Sequence, residues 1–309
     1  MFKKYQRLFA CLLLIILIAA GSCKSKYEKL KASNNNSKKY QEGIRLYNIK
    51  EYVKALGLFE PLIPIYRGHD EAKDLFYYYA YTNYKLKDYT SAAYSFKQFA
   101  DNYGSDERAE ECRYLAAYCY YLDAPNFSLD QENTVKAIDR LQLFINLYPK
   151  SDRVAEASKL IQVLHDRLEE KSYANSKLYF ILTEYQAAVI AMNNTLHDYP
   201  DTKYAEELQY LIVKSQYQYA SQSREDKQED RFNQTITYAG QFDDLYATSK
   251  YVHEVNQIKK DSQDGIRRAK SFMAELENNA KLARKFAKKD TVKAIPTAEK
   301  VDVNTKIPN

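Results

Sequence analysis

Residues 77–103 read YYYAYTNYKLKDYTSAAYSFKQFADNY, and the spacing of their apolar positions decides the fold. Tyr77, Ala80, Tyr81 and Tyr84 stand at i, i+3, i+4 and i+7, which places them on one face of a helix. Ala92, Phe96, Phe99 and Tyr103 form the face of a second helix. Shifted back by 37 residues, the two sets become Tyr40, Gly43, Ile44, Tyr47 and Ala55, Phe59, Leu62, Tyr66. Shifted forward by 37, the first set becomes Tyr114, Ala117, Tyr118 and Tyr121. Its companion, Ala137, Leu141, Phe144 and Tyr148, lies 45 residues beyond the second set, so eight residues are inserted there, with Ala124-Pro125-Asn126 marking the loop.

The same template finds two more units. Tyr173, Ser176, Lys177, Phe180 and Tyr210, Val213, Lys214, Tyr217 open them, and Ala188, Met192, Thr195, Tyr199 and Thr235, Ala239, Phe242, Tyr246 close them. Each second helix ends at a turn such as Tyr148-Pro149-Lys150-Ser151 or Tyr199-Pro200-Asp201-Thr202, where proline stops one helix and Ser or Thr caps the next. A small residue followed twelve places later by alanine, as in Gly43 to Ala55, Ala80 to Ala92 and Ser176 to Ala188, resembles the tetratricopeptide pattern. Stacked helix pairs of that kind bury a core that no pair buries alone and leave a concave surface for ligands. The expectation is therefore an all-α tetratricopeptide-repeat solenoid of five helix pairs.

Composition agrees: 7 glycines and 7 prolines in 309 residues leave little for the turns of a many-stranded sheet. Between Tyr148 and Tyr173 the chain carries fourteen residues more than the usual interval, enough for a lengthened helix around Arg153 to Lys171 that joins two lobes. After Tyr246 the positions that are apolar in earlier units hold Gln257, Lys260, Asp261 and Asp264, as in a polar capping helix. The expected division is 1–22 signal peptide, 23–37 lipid-anchored linker, 38–150 repeats one to three, 151–248 linker helix and repeats four and five, 249–290 capping helix, and 291–309 disordered tail.

The N-terminus reads as an address. Lys3, Lys4 and Arg7 precede an apolar run from Leu8 to Ala20, then Gly21, Ser22 and Cys23, the order of a secretory signal. The run is shorter than the ~20 residues a spanning helix needs. Ala20-Gly21-Ser22-Cys23 resembles a bacterial lipobox, in which Cys23 is acylated and becomes the first mature residue; the usual Leu three places before the cysteine is absent. Acyl chains hold a protein at a bilayer surface. In lipoproteins this resembles, the lack of an acidic residue in Lys24-Ser25-Lys26 points to the periplasmic face of the outer membrane. Removing Lys3, Lys4 and Arg7 lowers the formal charge from +5 to +2, which is no nucleic-acid footprint. Cys112 and Cys119, seven apart and about 10.5 Å along one helix, are too far apart to bridge and read as small core residues.

An anchor cysteine, five repeats, an insertion in the third and the recurring Tyr-Pro-x-Ser/Thr turn together resemble the BamD family of outer-membrane assembly lipoproteins. That resemblance covers nearly the whole mature chain and implies a component of the β-barrel assembly machine. Its implied partners are the periplasmic domains of the barrel assembly protein and unfolded outer-membrane proteins.

Catalysis has no support in the residues. His69, His165, His197 and His253 lie on separate segments, adjacent carboxylates such as Glu110-Glu111 and Glu206-Glu207 diverge on a helix, and no metal-ligand spacing, phosphate loop or nucleophile motif occurs. No metal or cofactor is expected. Two rival binding roles are a SusD-type glycan-capturing lipoprotein, which would call for tryptophans and large loops this chain lacks, and a periplasmic scaffold of another envelope process. For a client peptide, Tyr77, Tyr81, Tyr84, Tyr114, Tyr118 and Tyr121 fall where tetratricopeptide grooves are lined; each ring presents an apolar face and a hydroxyl edge, suited to aromatic-rich segments. The alternative is that the same rings pack helix against helix. Lys177 and Lys214 replace the middle tyrosine in units four and five, and with Tyr217 mark a different surface for the assembly partner.

Overall fold

A computed structural model describes residues 25–67 and 72–293, with side chains to residue 285. Cys23, the signal segment, His69 and residues 294–309 lie outside these. Among the described residues the chain is helix, turn and loop without strand, an all-α tetratricopeptide-repeat fold. The helices are α1 Lys26–Lys31, α2 Asn36–Asn48, α3 Tyr52–Phe59, α4 Ile63–Tyr66, α5 Ala72–Lys85, α6 Tyr89–Asn102, α7 Ala109–Asp123, α8 Glu132–Leu147, α9 Val154–Ile181, α10 Tyr185–Asp198, α11 Ala205–Ser221, α12 Glu225–Leu245 and α13 Val252–Lys293.

Two compact units divide the chain at Leu168 and Glu169, within α9. The sequence division at 150 and 151 falls earlier, because Ala157 and Leu164 of α9 still belong to the core of the first unit. The lengthened joint and the first helix of the fourth pair are one continuous helix of 28 residues.

The repeat template is also the burial pattern. Ala55, Phe59, Leu62, Ala92, Phe96, Phe99, Ala137, Leu141, Phe144, Ala188, Met192, Thr235, Ala239 and Phe242 are all fully buried. The small position of each first helix, Gly43, Ala80, Ala117, Ser176 and Val213, is buried as well. A Cβ on Gly43 would lie 2.5 Å from Cε1 of Phe59, so the first pair closes only on glycine. Lys50, Lys87 and Thr183 occupy the same place in the turns of pairs one, two and four and adopt φ of 63°, 62° and 62°. There the amides of Glu51, Asp88 and Glu184 bond back to the carbonyls of Leu46, Asn83 and Tyr179, closing the helix end.

Three local features depart from the sequence expectation. The second helix of the first pair is broken at Glu60–Leu62 into a 3₁₀ turn between α3 and α4, since Pro61 and Pro64 remove backbone donors. The supposed linker 23–37 contains α1, capped by Ser25, whose Tyr27 and Leu30 pack against the first core; the Tyr27 hydroxyl donates to the Lys54 carbonyl at 3.1 Å. Helix α13 reaches Lys293, three residues into the expected tail, and buries Val255, Ile258, Ser262 and Ala269. Gln257 and Lys260 are exposed while Asp261 and Asp264 are half-buried. Val255 stands nine residues after Tyr246, as Leu208 does after Tyr199 and Cys112 after Tyr103. This face packs back on the preceding pair in all three helices, while the following face turns polar only in the last.

Candidate functional site

The tyrosines of α5 and α7 do meet in a row along the first unit, and the packing determines how much of each is left to a ligand. The Tyr77 and Tyr81 rings lie 4.7 Å apart, with Tyr81 edge-on to Phe96 at 5.0 Å and Tyr77 against Phe99 at 5.8 Å. Both hydroxyls donate to the Glu111 carboxylate in the first turn of α7, at 3.2 Å from Tyr77 and 2.6 Å from Tyr81. The Arg108 guanidinium covers the Tyr77 ring at 4.9 Å, itself held by Asp106 at 2.9 Å and Asp74 at 2.7 Å. Those bonds keep the Asp106 carboxyl well below the usual carboxylate range.

In the third pair, Tyr114 is only 2% exposed. Its ring meets Phe144 at 5.3 Å, stacks on Tyr118 at 5.8 Å and lies under Arg153 at 4.5 Å. Its buried hydroxyl faces Glu156 without closing a hydrogen bond. Tyr118 in turn stacks on Tyr121 at 5.7 Å. Burial raises the hydroxyls of Tyr77, Tyr81, Tyr84, Tyr114 and Tyr118 above the ordinary phenol value, so each is a neutral donor at physiological pH. The six-residue trough thus narrows: Tyr114 is core, Tyr77 and Tyr81 are clasped by Glu111, and Tyr84, Tyr118 and Tyr121 pack on the core with one part of each residue left exposed.

The second unit repeats the clasp with lysine. Tyr173 lies flat under Tyr204 at 3.9 Å, and its hydroxyl donates to Glu207 at 2.9 Å. Lys177 Nζ reaches Glu207 at 2.7 Å and the Tyr173 hydroxyl at 2.9 Å. Tyr210 lies under Tyr251 at 4.1 Å and donates to Glu254 at 2.7 Å, which Lys214 Nζ also reaches at 2.9 Å. Tyr217 packs at 5.9 Å from Phe232. Lys177 and Lys214, read from sequence as a partner surface, each form an ion pair within the unit and keep about a third of the side chain exposed, 37% and 34%. Each covers the tyrosine one turn behind it because i and i+4 share a helix face.

Sequence reasoning missed the other half of every clasp. Counted from the turn tyrosines Tyr103, Tyr148, Tyr199 and Tyr246, the fifth residue is Arg108, Arg153, Tyr204 or Tyr251, each over a tyrosine of the preceding first helix. The eighth is always glutamate: Glu111, Glu156, Glu207 and Glu254. A fixed shift of 37 hides them because loop lengths differ; an offset counted from the turn reveals them.

Elsewhere the named groups stay apart. His165, His197 and His253 are exposed on α9, α10 and α13, and the described residues hold no cluster of three or more His, Cys, Asp and Glu able to grip a metal. Burial pushes the Cys112 and Cys119 thiols up to about 12. No described helix is long and apolar enough to cross a membrane.

Comparison with known proteins gives this arrangement a family. A family profile described as "YfiO: Outer membrane lipoprotein" matches residues 32–231. The outer membrane protein assembly factor BamD of Rickettsia prowazekii is 24% identical over 212 residues, covering 69% of this chain and 84% of that one. A putative outer membrane protein assembly factor BamD of Aquifex aeolicus is 27% identical over 220 residues, 69% of each chain. Among solved structures, the TPR2AB domain of yeast Sti1 in its pHSP90 complex matches at 11% identity over 74% of this chain and 98% of that one, with a TM-score of 0.33, too distant to add to the helix pairing described above. With four of its five helix pairs lying wholly inside the matched span, the chain belongs to the YfiO family of outer membrane lipoproteins.

Proposed function

We propose that the protein is a lipid-anchored scaffold of outer-membrane protein assembly, held at the periplasmic face of the outer membrane through acylated Cys23. It binds the periplasmic domains of the barrel assembly protein and unfolded outer-membrane proteins on its way to no chemistry of its own. The observation that carries the reading is the family match, which runs through the repeats and whose relatives are named as assembly factors. The exposed remainder of the tyrosine row, Tyr84, Tyr118 and Tyr121, supports a peptide contact, because large apolar rings with polar edges suit extended aromatic-rich strands.

Depletion in cells tests the function. The expected result is loss of folded β-barrels from the outer membrane, with crosslinks from a photoreactive residue at Tyr118 to the barrel assembly protein or to its unfolded clients. Normal barrel levels after depletion would overturn it.

A further inference from the structure

Helix α1 straps the first repeat to the point where the chain meets its anchor. It lies flush on α3: Tyr27 and Leu30 pack into the first core, and the Tyr27 hydroxyl donates to the Lys54 carbonyl at 3.1 Å. A Cβ on Gly57 would fall 2.7 Å from that hydroxyl oxygen and 3.4 Å from Nζ of Lys31, so the two helices meet where α3 has no side chain. Only Lys24 and the cap Ser25 separate Cys23 from α1. Extended chain covers at most ~3.6 Å per residue, which keeps Ser25 within about 7 Å of Cys23, less than the ~10 Å width of a single helix.

Positive charge gathers at the same place. Residues 24–54 hold nine Lys and Arg against three Glu, a formal +6. The rest of the first unit, 55–168, holds thirteen basic residues against seventeen acidic ones, and 169–309 holds twenty-one of each, so the positive excess of the mature chain lies wholly in this stretch. Lys26, Lys29, Lys31, Lys38 and Lys50 are exposed and form no ion pair among the described residues, whereas Arg45 and Lys54 pair with Glu42 and Glu51. Val53, one turn before Gly57 on the same face of α3, adds an apolar side chain that is 73% exposed.

The tether identifies the occupant. Once Cys23 is acylated, the chain between it and Ser25 is too short for a helix of another protein to lie between α1 and the headgroups, whatever the charge of that protein. Lysines held this close to an anionic surface are each attracted to it, and the attraction fades within a Debye length. We propose that α1 and the first helix pair dock through Lys26, Lys29 and Lys31 on the anionic headgroups of the bilayer that holds the acyl chains. The anchor then orients the first unit against the membrane instead of leashing it at a distance. The proposal rests on the acylation of Cys23 and on no part of the client or assembly reading.

The test uses the full mature chain carrying Cys23→Ser, so that no acyl chain contributes, with vesicles of phosphatidylcholine alone or with phosphatidylglycerol added. In about 20 mM salt, co-sedimentation is expected to show binding about tenfold tighter to the phosphatidylglycerol vesicles, released at about 150 mM, where docking without acyl chains no longer holds the protein. Lys26→Gln with Lys29→Gln is expected to weaken it about tenfold. Lys150→Gln with Lys159→Gln removes the same charge from two exposed positions elsewhere in the unit and is expected to leave it unchanged. Unchanged thermal melts show that both variants keep the fold. Equal binding to the two kinds of vesicle, or equal loss in the two double variants, overturns the proposal. So does a dimer in sedimentation velocity that Lys26→Gln with Lys29→Gln dissolves, which assigns the basic surface to a second copy. Mass spectrometry of the native N-terminal peptide separates this proposal from the anchor. An acylated Cys23 without a phosphatidylglycerol preference overturns the docking alone, and a Cys23 without acyl chains overturns both.

Discussion

Glu111 is the acceptor for two tyrosine hydroxyls of the neighbouring pair, and the stronger of those bonds can be isolated. Tyr81→Phe deletes one oxygen while keeping the ring against Phe96 at 5.0 Å. The bond lost is 2.6 Å long and runs from a neutral donor to a carboxylate. Hydrogen bonds to charged groups contribute roughly 1.5–3 kcal/mol net, and a half-buried site argues for the low end, about 1.5 kcal/mol. Glu111→Gln leaves an amide oxygen for one hydroxyl and weakens both bonds, at about 1 kcal/mol. If the two residues act through the bond between them, the double variant loses about 1 kcal/mol less than the sum of the single ones. Urea titration followed by far-UV circular dichroism reads all three differences; each kcal/mol lowers the melting temperature by about 2–4 °C in a chain of this size. Strict additivity, with coupling under about 0.3 kcal/mol, would show that the clasp adds nothing beyond ring packing.

The lysine clasps make the second unit sensitive to acid. Burial alone would raise the Glu207 carboxyl, but bonds from Lys177 and Tyr173 outweigh it and leave the group low; Lys214 and Tyr210 lower Glu254. A carboxyl depressed on folding adds stability above its unfolded value of about 4.3 and loses it as pH falls through the folded value. Melting temperature should therefore drop between about pH 5 and pH 3, and Glu207→Gln should flatten that drop; an unchanged slope refutes the link. Lys87, held at φ 62°, gains from Lys87→Gly by about 1 kcal/mol in urea unfolding, and a loss would show that its side chain matters more than its backbone. Cys112 and Cys119 should resist a thiol reagent at pH 8 until the protein is unfolded, since burial holds both thiols protonated; labelling of the native protein would show local opening. Cys23→Ser should move the protein from the membrane to the soluble fraction with its helical spectrum intact, and retention in the membrane would refute the anchor.

Much of the fold is legible before any coordinates. A 37-residue period of tyrosine, small residue and aromatic places the five pairs, because each pair meets the next through the same few positions and each of those positions tolerates few residue types. The period names fully buried residues from Ala55 to Phe242, but Leu58, Leu75, Leu164 and Leu208 are equally buried outside it. Local chemistry explains the exceptions: Pro61 and Pro64 break one helix, and a Ser25 cap starts another in a stretch whose polar composition reads as linker.

The candidate site divides differently. Helical spacing alone puts Tyr77, Tyr81, Tyr84, Tyr114, Tyr118 and Tyr121 on matching faces, since that needs only the 3.6-residue turn. Which of those rings stays open depends on groups distant along the chain: Glu111, 34 residues from Tyr77 and 30 from Tyr81, and Arg108 and Arg153 laid over Tyr77 and Tyr114. The same holds for Lys177 and Lys214, free cations in the sequence and paired ones in the fold. Periodicity along the chain reports which face a side chain occupies. Only tertiary packing decides what lies opposite, because pairing strength depends on distance and burial, and loops of unequal length set both.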